Sequence, residues 1–351
     1  PPPPPPPPPL FSSRRRHTRL PTRSRGLGDV YKRQGEYASE MSDAAGTSWL
    51  DTGKRDWSDS LLDACSLTRE HMPSLVEGSS VSGRLRKVLA DDLGIPDCVV
   101  AGGGGDNAAA AIGAGVVKDG TAFLSLGTSG VLFAANGGYR PSPATAVHTF
   151  CHALPETWHQ MGVILAATDA LEWLARLTGK TAAELTQKLG DVQMPTRTLF
   201  LPYLSGERTP HNNAAIRGQF LHLEQSTDAT EAARAVLQGV SFAFADCRDA
   251  LAETGTELTR ALALGGGSKS AHWVKMLAST LDMTLDVPAA GDFGAALGAA
   301  RLAMMAGAGA SEEVAYQPAI SHSVEPDRML VEQMSDAHVR YKAAYQALKE
   351  F

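Results

Sequence analysis

Short apolar runs and amphipathic segments alternate along the chain from about residue 38 onward. The apolar runs have the length of strands and end at glycine or other turn residues; they span 99–101, 121–127, 130–135, 199–203, 261–264 and 285–287. Apolar residues spaced for one face of a helix predict helices over 58–65, 85–93, 107–115, 165–177, 272–281, 294–305 and 335–348. This alternation predicts an α/β protein.

Two of the predicted strands are neighbours in sequence. The runs 121–127 and 130–135 are joined by the tight turn Gly127-Thr128-Ser129-Gly130, which is typical of a β-hairpin. Because a hairpin places antiparallel strands beside parallel ones, the sequence predicts a mixed sheet rather than a purely parallel, doubly wound sheet.

A long helix is predicted to begin near residue 228. Asp228 and Glu231 have the spacing of a capping box, in which each end residue satisfies a backbone N–H of the other. The residues that follow at helical spacing and share one apolar face are Val236, Val240, Phe244, Cys247 and Leu251.

Composition excludes several classes of protein. The chain has 351 residues, 43% hydrophobic and 20% charged, which suits one large or two ordinary domains and excludes a disordered or disulfide-stapled miniprotein. The four cysteines are widely spaced without a CxxC pair, so neither a zinc ribbon nor a disulfide framework is indicated. No apolar run approaches the roughly 18 residues that span a membrane. We therefore expect a cytoplasmic protein without a membrane partner.

The first 34 residues differ from the rest. Nine prolines are followed by a segment in which eight basic residues stand against one acidic residue, so the net charge of −6 hides a more acidic remainder. We expect residues 1–34 to be a non-native or disordered low-complexity segment. The remainder has scattered charges rather than a basic patch, so no nucleic-acid partner is expected. The sequence does not indicate an oligomeric state.

Three glycine-rich loops each follow an apolar run. They lie at 102–106, 127–130 and 265–268. Glycine lets a backbone approach a ligand closely, and the amides of such loops bind phosphate. Each loop taken singly is also explained as a tight turn, but three together favour a phosphate ligand. Neither GxGxxG followed by an acidic residue nor GxxxxGK[ST] occurs, which weakens the dehydrogenase and P-loop interpretations.

Asp106 stands at the mouth of the first of these loops. Aspartate is a preferred helix N-cap, which is a purely structural explanation for the residue. A carboxylate there could also accept a proton from a substrate hydroxyl, as phosphoryl transfer to an alcohol requires. The two roles are compatible.

Two polar clusters have competing explanations. His148, Cys151, His152 and His159 suggest a metal site, but alternate residues of a strand face opposite sides and cannot all reach one ion, so we predict no metal site there. The loop 205–218 is either ordinary solvated loop or the wall of a cleft; its candidate residues are Glu207, Arg208, His211, Asn212 and Arg217.

Taken together, the motifs resemble the FGGY family of carbohydrate kinases. The resemblance runs from residue 37 almost to the C-terminus. The number of matching motifs and their order along the chain make it specific. The matching segments are YASEMSDAAGT (37–47), RDWS (55–58), GGGDNAAAAIGAG (103–115), LSLGTSG (124–130), HTFCHALPETWHQM (148–161), LPYLSGERTPHNN (201–213), ARAVLQGVSFA (233–243), LGGGSKSAHW (264–273) and GDFGAALGAARLA (291–303).

The resemblance implies a ribonuclease-H-like fold of the actin and hexokinase type, with ATP between two domains. Residues 35–118 would be the C-terminal part of the first domain, and residues 119–351 the complete second, ATP-binding domain. The family's DxGTxx phosphate hairpin, with its Mg²⁺-engaging acid, and most of its sugar-contacting segment have no match before Tyr37. We therefore expect the first domain to be incomplete and the chain as written to be inactive, and we assign no residue to the sugar or to a metal.

The same resemblance assigns roles by motif. Asp106 matches the family's catalytic base. The phosphate-binding hairpin is matched by Gly127, Thr128 and Ser129, and the adenosine loop by Gly266, Gly267 and Ser268, with the helix at 294–299 beside it. The implied cofactors are ATP and Mg²⁺.

The reaction that the resemblance implies is ATP-dependent phosphorylation of D-xylulose at its C5 hydroxyl. Two alternatives stay open. Another member of the family would phosphorylate ribulose, gluconate, fuculose or glycerol, and a non-catalytic nucleotide-binding module of the same fold would keep the glycine loops without needing Asp106.

Overall fold

The computed structural model describes residues 34–289 and 294–350. The predicted tail 1–34 therefore lies outside the described residues except for Gln34, as do positions 291–293 of the last motif. The strands in the described ranges are β1 (Ala38–Glu40), β2 (Leu50–Asp51), β3 (Asp56–Trp57), β4 (Ser74–Val76), β5 (Val81–Arg84), β6 (Val99–Ala101), β7 (Ala122–Leu126), β8 (Gly130–Asn136), β9 (His148–Cys151), β10 (Trp158–Ile164), β11 (Leu199–Leu201), β12 (Gln219–Leu221), β13 (Arg260–Leu264), β14 (Thr284–Pro288) and β15 (Ile320–Val324).

The α-helices of the same ranges come between these strands and after the last. They are α1 (Met41–Ala44), α2 (Asp59–Ala64), α3 (Lys87–Leu93), α4 (Asp106–Ala114), α5 (Thr168–Thr178), α6 (Ala182–Thr186), α7 (Ala229–Ala252), α8 (Ala271–Leu281), α9 (Ala295–Ala308) and α10 (Arg328–Leu348). None of the described helices combines the length and the apolar character that a membrane crossing requires.

Seven strands form one mixed sheet in the order β15-β14-β13-β7-β8-β10-β9. β13 runs parallel to both β14 and β7, and the other neighbours are antiparallel. The predicted hairpin is β7–β8, with Phe123 opposite Phe133. The α/β class and the mixed sheet are thus confirmed.

The sheet buries both of its faces. Leu124 and Leu132 point into a large core that α7, α8 and α10 cover, and Phe123 and Phe133 on the opposite face pack with the last residues of α4. The alternation of side chains along β7 and β8 explains why both strands are almost continuously apolar.

Helix α4 packs closely against α9. A Cβ atom at Gly298 of α9 would collide with the carbonyl oxygen of Ala109, so only glycine permits this approach. Leu302 and Met305 of α9 complete an apolar cluster with Ala108 and Ile112 of α4.

The segment before residue 118 is bonded to the β9–β10 hairpin. The Arg55 guanidinium donates to the carbonyl oxygen of Thr157 at 2.7 Å and pairs with Glu77 at 2.6 Å. The Trp158 indole N–H donates to the carbonyl oxygen of Thr52 at 2.8 Å. These contacts join the two parts of the chain; the predicted boundary at residue 118 stays a prediction.

Several local expectations were wrong in detail. The C-terminal helix begins at Arg328 rather than near 335, because the Asp327 side chain accepts the N–H of Met329 and caps it. Asp228 caps α7 as predicted, accepting the N–H groups of Thr230 and Glu231. The capping box is not completed, because the Glu231 carboxylate instead accepts the Thr196 hydroxyl.

Candidate active site

The hairpin turn between β7 and β8 presents two hydroxyl groups to solvent. Leu126 pairs with Gly130 across the turn, and Thr128 and Ser129 are exposed between them. A Cβ atom at Gly130 would lie 2.7 Å from the Ile164 side chain, so the turn can sit here only with glycine at its base.

The start of helix α5 holds this turn from behind. The Gly127 carbonyl oxygen accepts both the N–H and the hydroxyl of Thr168 at 2.9 Å, and the Thr128 carbonyl oxygen accepts the N–H of Ala167 at 2.8 Å. These bonds explain why the predicted helix 165–177 begins only at Thr168. Thr168 therefore anchors the turn, and no local sequence pattern indicates this contact, because Gly127 lies 41 positions away.

The loop that follows β13 lies beside the turn. β13 and β7 are parallel neighbours with Leu264 opposite Ser125, so their carboxyl ends meet at one edge of the sheet. A Cβ atom at Gly265 would lie 2.7 Å from the Leu126 carbonyl oxygen. The hairpin turn and the loop 265–268 are therefore adjacent, at the edge where open α/β sheets bind ligands.

The two central glycines of this loop have different surroundings. Gly266 is exposed, and a Cβ atom there would meet none of the described atoms within 4 Å. Gly267 is buried, and its Cβ atom would lie 2.8 Å from Leu126 Cβ and 2.9 Å from the Trp273 ring. Gly267 is thus required by packing, whereas the backbone of Gly266 is open to solvent. Ser268 closes the loop by donating its hydroxyl to the Gly265 carbonyl oxygen at 2.7 Å.

Asp106 is the first residue of α4 and is exposed. Its Oδ1 atom accepts the backbone N–H of Asn107 at 2.9 Å and the Asn107 side-chain amide at 3.2 Å. The N-cap of the helix is Gly105, not Asp106. The structural explanation considered from the sequence, an N-cap role for Asp106, is therefore wrong in position by one residue.

The loop before Asp106 differs from the other two glycine loops, because the protein itself binds several of its amides. Gly102 donates to the Ser80 carbonyl oxygen at 2.9 Å and Gly103 to that of Gly78 at 3.1 Å. Gly105 donates to the Ser42 hydroxyl at 2.9 Å. This loop is built to place the start of α4 rather than to surround a phosphate with amides.

Ser42 is in turn bonded to a buried carboxyl group. Its hydroxyl donates to Glu40 Oε2 at 2.6 Å and its N–H to Glu40 Oε1 at 2.9 Å. Burial raises the pKa of Glu40 to about 7, against the lowering effect of these hydrogen bonds. Nothing in the spacing of the YASEMSDAAGT segment indicates the role of Glu40 and Ser42, because Gly105, which Ser42 binds, is 63 positions away.

The polar loop 205–218 divides into a buried and an exposed part. Arg208, Asn212 and Arg217 are exposed. Glu207 is 2% exposed, and its Oε1 atom accepts the N–H groups of Leu165 at 3.0 Å and Arg208 at 2.7 Å. Burial is the main reason that the pKa of Glu207 rises to about 8. Part of the loop is therefore interior structure that supports the end of β10.

His211, from the same loop, belongs to a buried polar cluster with helices α7 and α10. Its ring stacks on Tyr345 at 3.6 Å between centroids and hydrogen-bonds to the Tyr203 hydroxyl at 3.0 Å. Asp246 Oδ1 is 2.8 Å from His338 Nε2. Asp246, Asp249 and His338 could together reach one ion, but Asp249 is already paired with Arg248 and Lys342.

The histidines near the β9–β10 hairpin do not share one environment with Cys151. His159 stacks on Phe133 in the interior. The His152 ring lies edge-on to the His159 ring, with the two ring centroids 5.7 Å apart. Burial lowers the pKa of His152 to about 4 and that of His159 well below its usual value. The Cys151 thiol instead faces the Thr52 carbonyl oxygen at 3.6 Å.

The candidate site residues thus lie in two places: two adjacent glycine-containing turns at one sheet edge, and an exposed carboxylate at the start of a separate helix. The turns offer exposed hydroxyls and close backbone approach, which suit a polyphosphate. The carboxylate can accept a proton, as transfer of a phosphoryl group to an alcohol requires.

Comparison with known proteins agrees with this chemistry. The C-terminal domain of the FGGY family of carbohydrate kinases matches residues 122–307, and the N-terminal domain of that family matches residues 30–113. The two domain matches together include Asp106 and both turns.

Individual relatives point to the same group. The chain is 49% identical over 276 residues to a xylulose kinase of Escherichia coli (strain K12), and equally to one of Klebsiella pneumoniae. The first match covers 78% of this chain and 57% of the relative. The chain therefore spans a little over half the length of the curated relatives that it matches.

Solved structures share the fold. A xyloylose kinase from Brucella ovis superposes with a TM-score of 0.89 at 51% identity, covering 92% of this chain and 67% of the other. A glycerol kinase from Plasmodium falciparum with ADP superposes at a TM-score of 0.79 and 17% identity, covering 92% and 65%; at that identity the likeness shows the fold alone.

Proposed function

Because the chain belongs to the FGGY family of carbohydrate kinases, we propose that it takes part in the ATP-dependent phosphorylation of D-xylulose to D-xylulose 5-phosphate. The observation that carries the proposal is the meeting of the Gly127–Ser129 turn and the Gly265–Ser268 loop at the carboxyl edge of β7 and β13. The xylulose kinases at 49% identity support the choice of sugar.

In the proposed reaction, the C5 hydroxyl oxygen of D-xylulose attacks the γ-phosphorus of ATP. The bond from this phosphorus to the β,γ-bridging oxygen breaks, the hydroxyl proton passes to the Asp106 carboxylate, and ADP leaves. Mg²⁺ enters with ATP as part of the substrate and offsets the phosphate charge.

We assign the nucleotide to the two adjacent turns. Gly127, Thr128 and Ser129 would bind the phosphates through hydroxyls and amides, and Gly266, Gly267 and Ser268 would lie against the adenosine. The exposure of Thr128, Ser129 and Gly266 supports this assignment. A cytoplasmic location belongs to the same proposal and is supported by four free cysteine thiols, as is usual in a reducing compartment.

A coupled assay of ADP release tests the proposal with a panel of D-xylulose, ribulose, gluconate, fuculose and glycerol. We expect D-xylulose to give the highest kcat/KM, and a higher value for another acceptor would contradict the choice of sugar. The inactivity of the chain as written stays a prediction. The assay therefore includes a chimera of the Escherichia coli relative. In this chimera, the segment of our chain that aligns with the relative over 276 residues replaces the corresponding segment of the relative.

The same two proteins, the chain and the chimera, distinguish a kinase from a non-catalytic nucleotide-binding module. Calorimetry measures ATP binding independently of turnover. ATP binding without phosphorylation of any acceptor by the chimera would favour the non-catalytic module, whereas phosphorylation that depends on Asp106 would exclude it.

A further inference from the structure

A buried carboxyl group is connected to the loop that carries the proposed base. Glu40, at the end of β1, is 6% exposed and accepts three hydrogen bonds, from the N–H groups of Ser42 and Asp43 and from the Ser42 hydroxyl. The two N–H bonds cap the four-residue helix α1. The hydroxyl bond adds nothing to the cap, so it needs another explanation.

The Ser42 hydroxyl oxygen also contacts the backbone of Gly105. It accepts the Gly105 N–H at 2.9 Å, across 63 positions of sequence. A hydroxyl group has one proton, and the Ser42 hydroxyl donates it to Glu40 Oε2 at 2.6 Å. When the Ser42 proton points to Glu40 Oε2, an oxygen lone pair is left to face Gly105. Glu40 thereby fixes the direction of the second bond.

Gly105 is the N-cap of α4, and the next residue is Asp106. The amides of Gly102 and Gly103 are held by the backbone carbonyl oxygens of Ser80 and Gly78, so no side chain takes part in these bonds. The Gly105 amide is held by a side chain, so this bond depends on the identity of residue 42.

We propose that Ser42, oriented by Glu40, is a positioning residue that fixes Gly105 and thereby the carboxylate of Asp106. The role of Asp106 as base rests on the proposed function. Small displacements of a reacting group lower rates steeply, by about 100-fold for about 1 Å. Loss of this bond therefore lowers kcat without changing the binding of ATP.

Amide hydrogen exchange on the full chain tests the connection without any turnover. The Asn107 N–H reports on the Asp106 carboxylate, which accepts it at 2.9 Å. In Ser42→Ala we expect faster exchange at Gly105 and Asn107, with exchange at Gly102 and Gly103 unchanged. Ser42→Thr keeps the hydroxyl and should restore slow exchange at Gly105 and Asn107. Glu40→Gln should accelerate exchange of the Gly105 N–H.

Three results would overturn the proposal. Unchanged exchange at Gly105 in Ser42→Ala would show that the bond holds nothing. Faster exchange at Gly105 with Asn107 unchanged would show that it does not position Asp106. Equal acceleration of all four amides would show that Ser42 serves the fold as a whole.

Kinetics of the chimera with the Escherichia coli relative give a second readout. Ser42→Ala should lower kcat about 10- to 100-fold at constant KM for ATP, and should add no loss in an Asp106→Asn background. Equal losses in both backgrounds would contradict the positioning role. A chimera without turnover would count against the proposed function alone, because the exchange experiment decides the connection independently.

Discussion

Asp106 is recognisable from sequence because a run of glycines precedes it and an alanine-rich helix follows. Its neighbours are not recognisable in this way. Ser42 and Thr168 act through bonds to residues 63 and 41 positions away, and no local pattern encodes such pairs. The sequence could therefore indicate the proposed base, but not the groups that hold it and the Gly127–Ser129 turn in place.

Replacing Asp106 with asparagine should remove the proton acceptor and leave the fold intact, because the side chain is exposed. In the chimera with the Escherichia coli relative, we expect kcat to fall by about 10²- to 10⁴-fold, the usual contribution of a general base. ATP affinity measured by calorimetry should be unchanged. Asp336→Asn, at an exposed position of α10, is the matched control and should keep full activity. Undiminished phosphorylation by Asp106→Asn would refute the assignment.

The two glycines of the 265–268 loop should respond differently to alanine. Gly266→Ala meets open space, so its melting temperature should match the wild type while its ATP affinity falls. Gly267→Ala would crowd Leu126 and Trp273 and should lower the free energy of unfolding by about 1–3 kcal/mol. Thermal melts and ATP calorimetry on both variants check this. Unaltered affinity in Gly266→Ala would remove the loop from the proposed nucleotide site.

Glu207 should make stability depend on pH. Its pKa is about 8 in the fold, mainly through burial, against an ordinary value of 4.5. Between these two pKa values, the Glu207 carboxyl group is ionised in the unfolded chain and protonated in the folded chain. The stability that Glu207 contributes is thus complete below pH 4.5 and is lost as pH rises through 8.

Urea unfolding at pH 5 and pH 9 measures this effect. Glu207→Gln stays neutral, so its stability relative to the wild type should improve between pH 5 and pH 9 by a few kcal/mol at most. Glu257→Gln, at an exposed position, should follow the wild type at both pH values. A constant difference between Glu207→Gln and the wild type would show that Glu207 titrates normally.

At the scale of elements, local patterns predicted the segments that contact sequence neighbours. The β7–β8 hairpin is an example, because its turn residues and both its strands lie within one short stretch. Strands β10 and β15 were missed. β15 is a largely exposed edge strand with little apolar signal, and β10 is buried along its whole length, so it shows no alternation.

Helix α4 shows how an element is held at both ends. Ser42 binds the residue before its N-terminus, and the buried Arg301 of α9 donates from Nη1 to the carbonyl oxygens of Ile112 and Gly113 at 2.9 Å near its C-terminus. Arg301 also lies over the Tyr316 ring at 4.4 Å. The last carbonyl groups of a helix need such donors.

Replacing Arg301 with methionine should therefore leave buried carbonyl oxygens without a donor. We expect the free energy of unfolding to fall by about 1–3 kcal/mol in urea titration. Arg176→Met, on the exposed side of α5, is the control and should change it by less than about 0.5 kcal/mol. Equal effects of the two substitutions would show that Arg301 does not hold α4.

At the scale of the whole molecule, the site depends on contacts between distant parts of the chain. Asp106 follows the small strand pair β5–β6, whereas both turns belong to the seven-stranded sheet. Arg55, Trp158 and the packing of α4 on α9 tie these parts together. The alternation of strands and helices predicted the α/β class. Periodicity could not predict these contacts between distant parts of the chain, because they depend on single polar residues and one glycine.

The central claim is that this chain supplies the base and the nucleotide turns of a D-xylulose kinase. Phosphorylation of D-xylulose by the chimera with the Escherichia coli relative, with and without Asp106→Asn, tests it most directly. We predict formation of D-xylulose 5-phosphate and ADP in equal amounts, and a loss of at least about 100-fold with Asp106→Asn. Equal rates for the two chimeras, or faster phosphorylation of another acceptor than of D-xylulose, would contradict the claim.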